Sequence, residues 1–208
     1  MKKAAVITGD IINFTQLGDN QRKKVIEETD QLLKSWTSKK SNAEVFRGDS
    51  YQVLFEEPAM AVTKGLQLIA WFKKHSTHDD SVHLGTRLSV GIGEVSYHGK
   101  NVLNSDGEAF HLSGRKFDAM TSEEYISIQS NNQESNAAIE IILKFVNRYI
   151  SNWNRGQAEV IFWHLEGKTQ QEIAKTLSIS QPSVNSRLKT AGWKELEPTI
   201  IYLESLVK

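Results

Sequence analysis

The chain has 208 residues, 39% of them hydrophobic, enough for one large or two small domains with a packed core. Lys plus Arg number 25 and so do Asp plus Glu, so the zero net charge does not by itself announce a nucleic-acid binder; only a local patch can. The absence of cysteine excludes disulfides and thiolate metal sites, and no apolar run approaches the roughly 20 residues that span a bilayer.

Residues 1–10 do not read as a signal peptide, because Asp10 interrupts a short apolar run, and the expected setting is a bacterial-type cytoplasm. Residues 4–8, ending in Gly9-Asp10, predict a buried strand. Residues 21–36 predict a helix with Val25, Leu32, Leu33 and Trp36 inward. Residues 43–46 and 51–55 predict two strands joined by a hairpin at Arg47-Gly48-Asp49-Ser50. Pro58 starts a helix carrying Ala61, Val62, Leu66, Leu68, Ile69 and Phe72, and residues 84–92 predict another strand. The order β-α-β-β-α-β is that of a ferredoxin-like split βαβ arrangement. A helix near 108–120 and a strand over 125–128 extend it.

The polar run 129–136 reads as a linker. The expected architecture is therefore α+β over residues 1–130, followed by an all-α domain over 137–208. Residues 137–150 and 156–165 predict two helices, the second stopped by Gly167. Pro198 opens a last helix over 199–207, whose Ile200, Leu203 and Leu206 suit a cap on the bundle or a dimer contact.

Between these helices, residues 169–191 spell two short helices and a tight turn. Thr169 and Glu172 form a capping box, and Ile173 and Leu177 give the first helix an apolar stripe. Ser178-Ile179-Ser180 breaks it. Ser180 can cap the second helix, Pro182 fits its first turn, and Val184 and Leu188 repeat the stripe. The pattern resembles the helix-turn-helix of sigma factors and related bacterial regulators, in which the second helix enters the major groove. Gln181, Ser183, Asn185, Ser186 and Lys189 avoid the stripe. Gln and Asn can pair bidentately with adenine, Ser can bond base edges, and Arg187 and Lys189 suit phosphates or guanine. From Ile173 to Trp193 there is no acidic residue. The expected partner is double-stranded DNA, bound by a homodimer on paired half-sites.

A crossover helix between the first two strands makes them run in the same direction. Asp10 and Asp49 then fall at one edge of the sheet, where two carboxylates can hold Mg²⁺ or Mn²⁺; the alternative is that Gly-Asp is simply a turn dipeptide. Residues 9–15, Gly-Asp-Ile-Ile-Asn-Phe-Thr, resemble the Asp-Ile-x-x-Phe-Thr segment of class III nucleotidyl cyclases. Residues 47–55 resemble their second metal-binding hairpin. Leu88-Ser-Val-Gly-Ile-Gly-Glu94 and residues 107–115 resemble their later strand and helix. That resemblance implies a palm domain with Asp10, the Ile11 carbonyl and Asp49 as metal ligands. It implies Asn104, Asp106, His111 and Arg115 as nucleotide-binding residues, with Arg115 stabilising phosphate charge if the site is catalytic. It also favours a homodimer, since the carboxylates and arginine of a cyclase come from different subunits. The sequence departs from cyclases at His111, which replaces an Asn, at Val45 and Asn104 near the purine positions, and in lacking the C-terminal segment with a phosphate-binding Lys.

Across nearly its full length the chain resembles the SatD family, on Gly9-Asp-Ile-Ile12, Gly48-Asp-Ser-Tyr-Gln52, Asp106-Gly107 and Arg115-Lys116 followed by the helix-turn-helix. No phosphate-binding P-loop is present. His75, His78 and His83 beside Asp79 and Asp80 read as a solvated loop rather than a metal site. Trp153, Trp163 and Trp193 read as core. The favoured expectation is a DNA-binding transcriptional regulator with a nucleotide- or metal-sensing palm. The alternatives are a metal-dependent cyclase or related phosphoryl-transfer enzyme, and a palm that serves only as a dimerisation scaffold.

Overall fold

β1 (Lys3–Ile12) can sit centrally because its residues pack on both faces. Ala5, Ile7 and Ile11 join the larger core, whereas Ala4 and Val6 join a smaller cluster with Leu54, Val102, Ala109 and Phe110. The computed structural model describes residues 3–77 and 82–208. It is a mixed α/β protein with a five-stranded mixed sheet and, among the described residues, eight α-helices.

The other strands are β2 (Ala43–Phe46), β3 (Ser50–Phe55), β4 (Gly85–Glu94) and β5 (Ile126–Ser130). Their order is β2-β3-β1-β4-β5. β1 is antiparallel to β3 and β4, β2 to β3, and β5 is parallel to β4. β1 and β2 therefore run in the same direction, and their C-terminal ends share an edge.

α1 (Asp19–Ser35) and α2 (Pro58–Lys74) add their buried side chains to the larger core, and Trp71 Nε1 donates to Thr29 Oγ1 across them at 3.2 Å. α3 (Glu108–Asp118) covers the opposite face, lying over β4. Gly91 is what lets it approach. A Cβ there would run into the backbone of Ala109 and Ser113.

The remaining helices are α4 (Gln133–Ser151), α5 (Arg155–Leu165), α6 (Gln170–Leu177), α7 (Gln181–Thr190) and α8 (Trp193–Leu206). The polar run 129–136 is not a linker. Gln129 and Ser130 finish β5, and Asn132 caps α4 by accepting from Ser135 N. Its polarity has a local use, because Asn136 exchanges hydrogen bonds with the Ser130 backbone. Nor does Pro198 open a helix. α8 starts at Trp193, after Gly192 (φ 73°), and Pro198 sits inside it on an exposed side. One backbone bond is forfeited there.

The sheet and the C-terminal helices share one hydrophobic core, because α2 packs against β4 and β1 as well as against α5 and α8. Gln67 of α2, buried, donates to Glu166, which Lys64 also meets. Thr63 donates to Glu204 of α8, and Arg155 Nε donates to the Lys74 carbonyl. No helix among the described residues is long and apolar enough to cross a membrane.

Asn147 of α4 occupies the open side of β5. Its Oδ1 accepts from Tyr125 N and Ile126 N, and its Nδ2 donates to the Ile126 carbonyl. Asn147→Leu removes all three bonds and leaves buried strand groups unpaired. The expected loss of stability is about 2–4 kcal/mol by denaturant unfolding.

Burial pushes Lys73 and Lys74, at the end of α2, down to about 8. Lys74 lies over the rings of Trp71 and Phe162, where α2 meets α5. An unfolded lysine titrates near about 10.4, so the unfolded chain binds more protons between about pH 8 and that value, and stability rises with pH across the window. The denaturation midpoint is expected to rise on going from pH 8 to just below 10, and Lys74→Met is expected to flatten the rise.

Candidate functional site

α6 and α7 are built as their local chemistry requires. Thr169 Oγ1 accepts from Glu172 N at 3.3 Å, and Glu172 Oε2 accepts from Thr169 N at 2.8 Å. The Thr169 backbone N–H, followed by its hydroxyl, holds the Glu172 carboxyl below the usual range. Ser178 ends α6 in the left-handed region (φ 54°, ψ 42°). Ser180 Oγ then accepts from Ser183 N and starts α7, with Pro182 in the first turn. Ile173 and Ala174 of α6 are buried with Val184 and Leu188 of α7; Leu177 and Ile179 pack partly against them.

This packing decides what α7 shows to solvent. Gln181, Asn185 and Lys189 are exposed and recur every four residues, so they form one row along the helix. Ser186 is exposed beside that row, and Ser183 is half-buried. Arg187 behaves differently. Its Nη1 donates to the Gly156 carbonyl at 3.2 Å and lies 3.6 Å from Glu159 of α5. The guanidinium rests on Gly156, where an ideal Cβ would be 3.1 Å from its central carbon. Arg187 therefore ties α7 to α5 and does not share the exposed row. The reason is its position on the helix, next to the buried stripe. Trp153 and Trp193 are buried and Trp163 packs partly against the core; Trp153 Nε1 donates to the Ala191 carbonyl at 3.0 Å.

At the other end of the molecule, Asp10 and Asp49 do come to one edge. Asp10 pairs with Ser50 in the sheet, and Ile11 N donates to the Asp49 carbonyl at 2.8 Å. Gly9 is required because a Cβ would collide with the Tyr51 hydroxyl. That hydroxyl meets Thr86 Oγ1, which donates to the Asp10 carbonyl, and burial pushes the Tyr51 phenol well above its usual range. The Asp10 carboxylate, however, is held by Arg87 of β4, with Nη2 at 2.8 Å from Oδ2 and Nε at 3.4 Å from Oδ1. The hydrogen bond to Asp10 raises the Arg87 pKa further, and the guanidinium also lies 5.5 Å from the centre of the Phe117 ring. Asp49 Oδ1 accepts a long bond from Ser50 Oγ at 3.4 Å.

Asp106 and His111 pair with each other (3.0 Å) at the N-terminal end of α3, where Asp106 also accepts from Gly107 N. That end of α3 lies by Glu94, since Glu108 accepts from Glu94 N; the other end, at Phe117, lies by Arg87. Because Lys3 pairs with Glu94 and Asp10 with Arg87, Asp106 and His111 sit at the opposite edge of the sheet from Asp10 and Asp49. Asn104 is exposed in the turn before α3, and Arg115 is exposed further along the helix. Within one chain the residues assigned to metal and to nucleotide do not converge.

This donor set does not fit a divalent cation as it stands, because one of the two carboxylates is neutralised by an arginine. Among the described residues there is no group of three or more His, Asp or Glu side chains placed to hold a metal. Of the histidine loop, His78, Asp79 and Asp80 lie outside the described residues. His75 is packed on Trp71, donating through Nδ1 to its carbonyl, and burial lowers its pKa. Arg87 was missed by the sequence reading. Its signal is that it is the one charged residue within 84–92, a stretch otherwise made of apolar, Gly, Ser and Thr residues.

Neither comparison with protein-family models nor comparison with curated proteins found a match to this chain.

The two basic residues of α7 are separable by stability alone. Arg187→Ala is expected to lower the unfolding free energy by about 1–2 kcal/mol, through loss of the bonds to Gly156 and Glu159. Lys189→Ala, on an exposed row, is expected to stay within about 0.5 kcal/mol of wild type in the same urea titration.

Proposed function

We propose that this protein is a DNA-binding transcriptional regulator in which α6 and α7 form a helix-turn-helix and α7 is the recognition helix. The observation that carries the reading is the exposed row Gln181–Asn185–Lys189, with Ser186 beside it, on a segment free of acidic residues from Ile173 to Trp193. An apolar helix face was expected to be buried; what matters is the chemistry left outside. Amide side chains can donate and accept at a single base edge, and a lysine one turn further on suits a phosphate or guanine.

The sheet portion we read as a ferredoxin-like, nucleotidyl cyclase-like palm that regulates the reader, in a chain resembling the SatD family. Sensing of a nucleotide is the role proposed for it in preference to catalysis. One observation supports that order: the Asp10 carboxylate is committed to Arg87. An effector acts on the reader only by binding its DNA-competent and incompetent states differently. No reaction step is assigned to Asp10, Asp49 or Arg115.

Asn185→Ala is expected to weaken binding to the preferred DNA site by about 1–3 kcal/mol and to relax specificity at one base pair. Lys189→Ala is expected to weaken all sequences alike and to reduce the salt slope by about one. Gel-shift titrations at several salt concentrations, on a selected site and on random duplex, read both effects. Binding unaltered by either substitution would overturn the assignment.

A further inference from the structure

The outer face of α4 is apolar where a monomer would place polar side chains. Ile141 is 60% exposed and Phe145 68%, and Tyr149 continues the row at the helix end, where its ring closes over Gly192. The opposite side of α4, with Ile139, Leu143, Val146 and Ile150, is fully used in the core. The adjoining helix α8 likewise leaves Ile201 and Tyr202 exposed. A row of large apolar side chains along one helix is the signature of a helix-on-helix contact.

The charges at the two ends of this face say what covers it. Glu134 lies seven residues before Ile141 and Arg148 seven residues after, both exposed, so the three share a line along the helix. Each charge stands about 10 Å from Ile141 along the axis. Between Glu134 at one end and Arg148 at the other the face carries Ala137, Ala138, Ile141 and Phe145, bordered by the Glu140–Lys144 pair, and a face acidic at one end and basic at the other is complementary to itself when reversed. Size is complementary in the same sense. Phe145 lies four residues after Ile141, and the small Ala137 and Ala138 lie four and three before it.

We propose that a second copy of this chain covers α4, the two helices running antiparallel about a twofold axis beside Ile141. Ile141 then meets its own counterpart, Phe145 seats on Ala137 and Ala138 of the other copy, and Glu134 meets Arg148 at both ends. The interface is isologous, so it closes on itself and leaves no open surface for further growth. It does not depend on what α7 recognises.

Light scattering and sedimentation equilibrium on the full chain, without DNA, test it. Wild type is expected to be a dimer at micromolar concentration. Ile141→Asp is expected to be a monomer with an unchanged far-ultraviolet spectrum, since that side chain is outside the core, and with a melting temperature that no longer rises with protein concentration as the wild type's does. Glu134→Arg and Arg148→Glu are each expected to raise the dimer dissociation constant about tenfold or more, and the double reversal to restore it. If Glu134 and Arg148 serve only the dipole of their own helix, the double reversal is the weakest variant, because both ends are then wrong. A monomeric wild type, a dimer indifferent to Ile141→Asp, or a double reversal that fails to recover would each overturn the proposal. DNA binding is scored separately, so failure here leaves the reading of α7 intact, and failure there leaves this one.

Discussion

The structure depends on α2 being apolar nearly all the way round. Ala61, Val62, Leu66, Leu68, Ile69, Ala70 and Phe72 are all buried, together with Gly65 and Gln67. A helix with one apolar stripe can be satisfied by the sheet alone; this one needs a second covering layer. α5 and α8 supply it. Gly65 brings α2 close to the sheet, where an ideal Cβ would be 3.2 Å from Leu88 and 3.3 Å from Ile126. The polar exceptions are placed where the second layer can meet them, Gln67 by Glu166 and Lys74 among aromatic rings. Uncovering α2 would expose several large side chains at roughly 1.5–3 kcal/mol each, which is comparable to the whole stability of a domain this size.

The same constraint sorts the charged side chains. Side chains near the shared core are drawn into internal pairs: Arg187 with Gly156 and Glu159, Arg155 with the Lys74 carbonyl, and Lys64 with Gln67 and Glu166. On the far face of the sheet, Arg87 does the same to Asp10. Among the groups left outside are a short polar row on α7 and an apolar row on α4. On the proposed DNA reading, zero net charge is no obstacle, because screening confines electrostatics to about 8–10 Å at physiological salt. Only the local composition of α7 and its neighbours would be felt at a groove.

The elements were largely legible in the sequence, because periodicity and caps are local properties. The capping box at Thr169, the turn at Ser178–Ser180 and the buried Val184 and Leu188 follow from spacing alone. So does the shared edge of Asp10 and Asp49, since a crossover helix fixes strand direction. What could not be read is long-range partnership. Arg187 and Lys189 look alike in sequence, and only the position of α5 separates them. Asp10 looks like a metal ligand until Arg87 is seen opposite it in the register. The run 129–136 looks like a linker because Asn, Gln and Ser are turn formers. It is ordered because Asn136 bonds the Ser130 backbone and Asn132 caps α4. Asn147 uses the same amide chemistry further along that helix.

That absence of a linker narrows how the protein can be regulated. A hinge needs a few residues free to change their dihedrals, with little packing across them. Here the only residues between β5 and α4 are Asn131 and Asn132, and α2, α5 and α8 are packed across the junction. Swinging α5 to α8 away from the sheet would uncover α2, so it is not an accessible motion near the native state. An effector of the kind proposed for the sheet would therefore act through small shifts within one packed body, or through the geometry between two copies. The second is the more sensitive lever. A twofold reader needs its recognition helices about one DNA turn apart, near 34 Å, and both must fit at once. A rotation at the proposed α4–α4 contact would move the two copies of α7 relative to each other, whereas the same rotation inside the core is resisted by close packing. On the proposed DNA reading and the proposed α4 dimer, that contact, not the path between the sheet and α7, is where binding of an effector would be converted into gain or loss of DNA affinity.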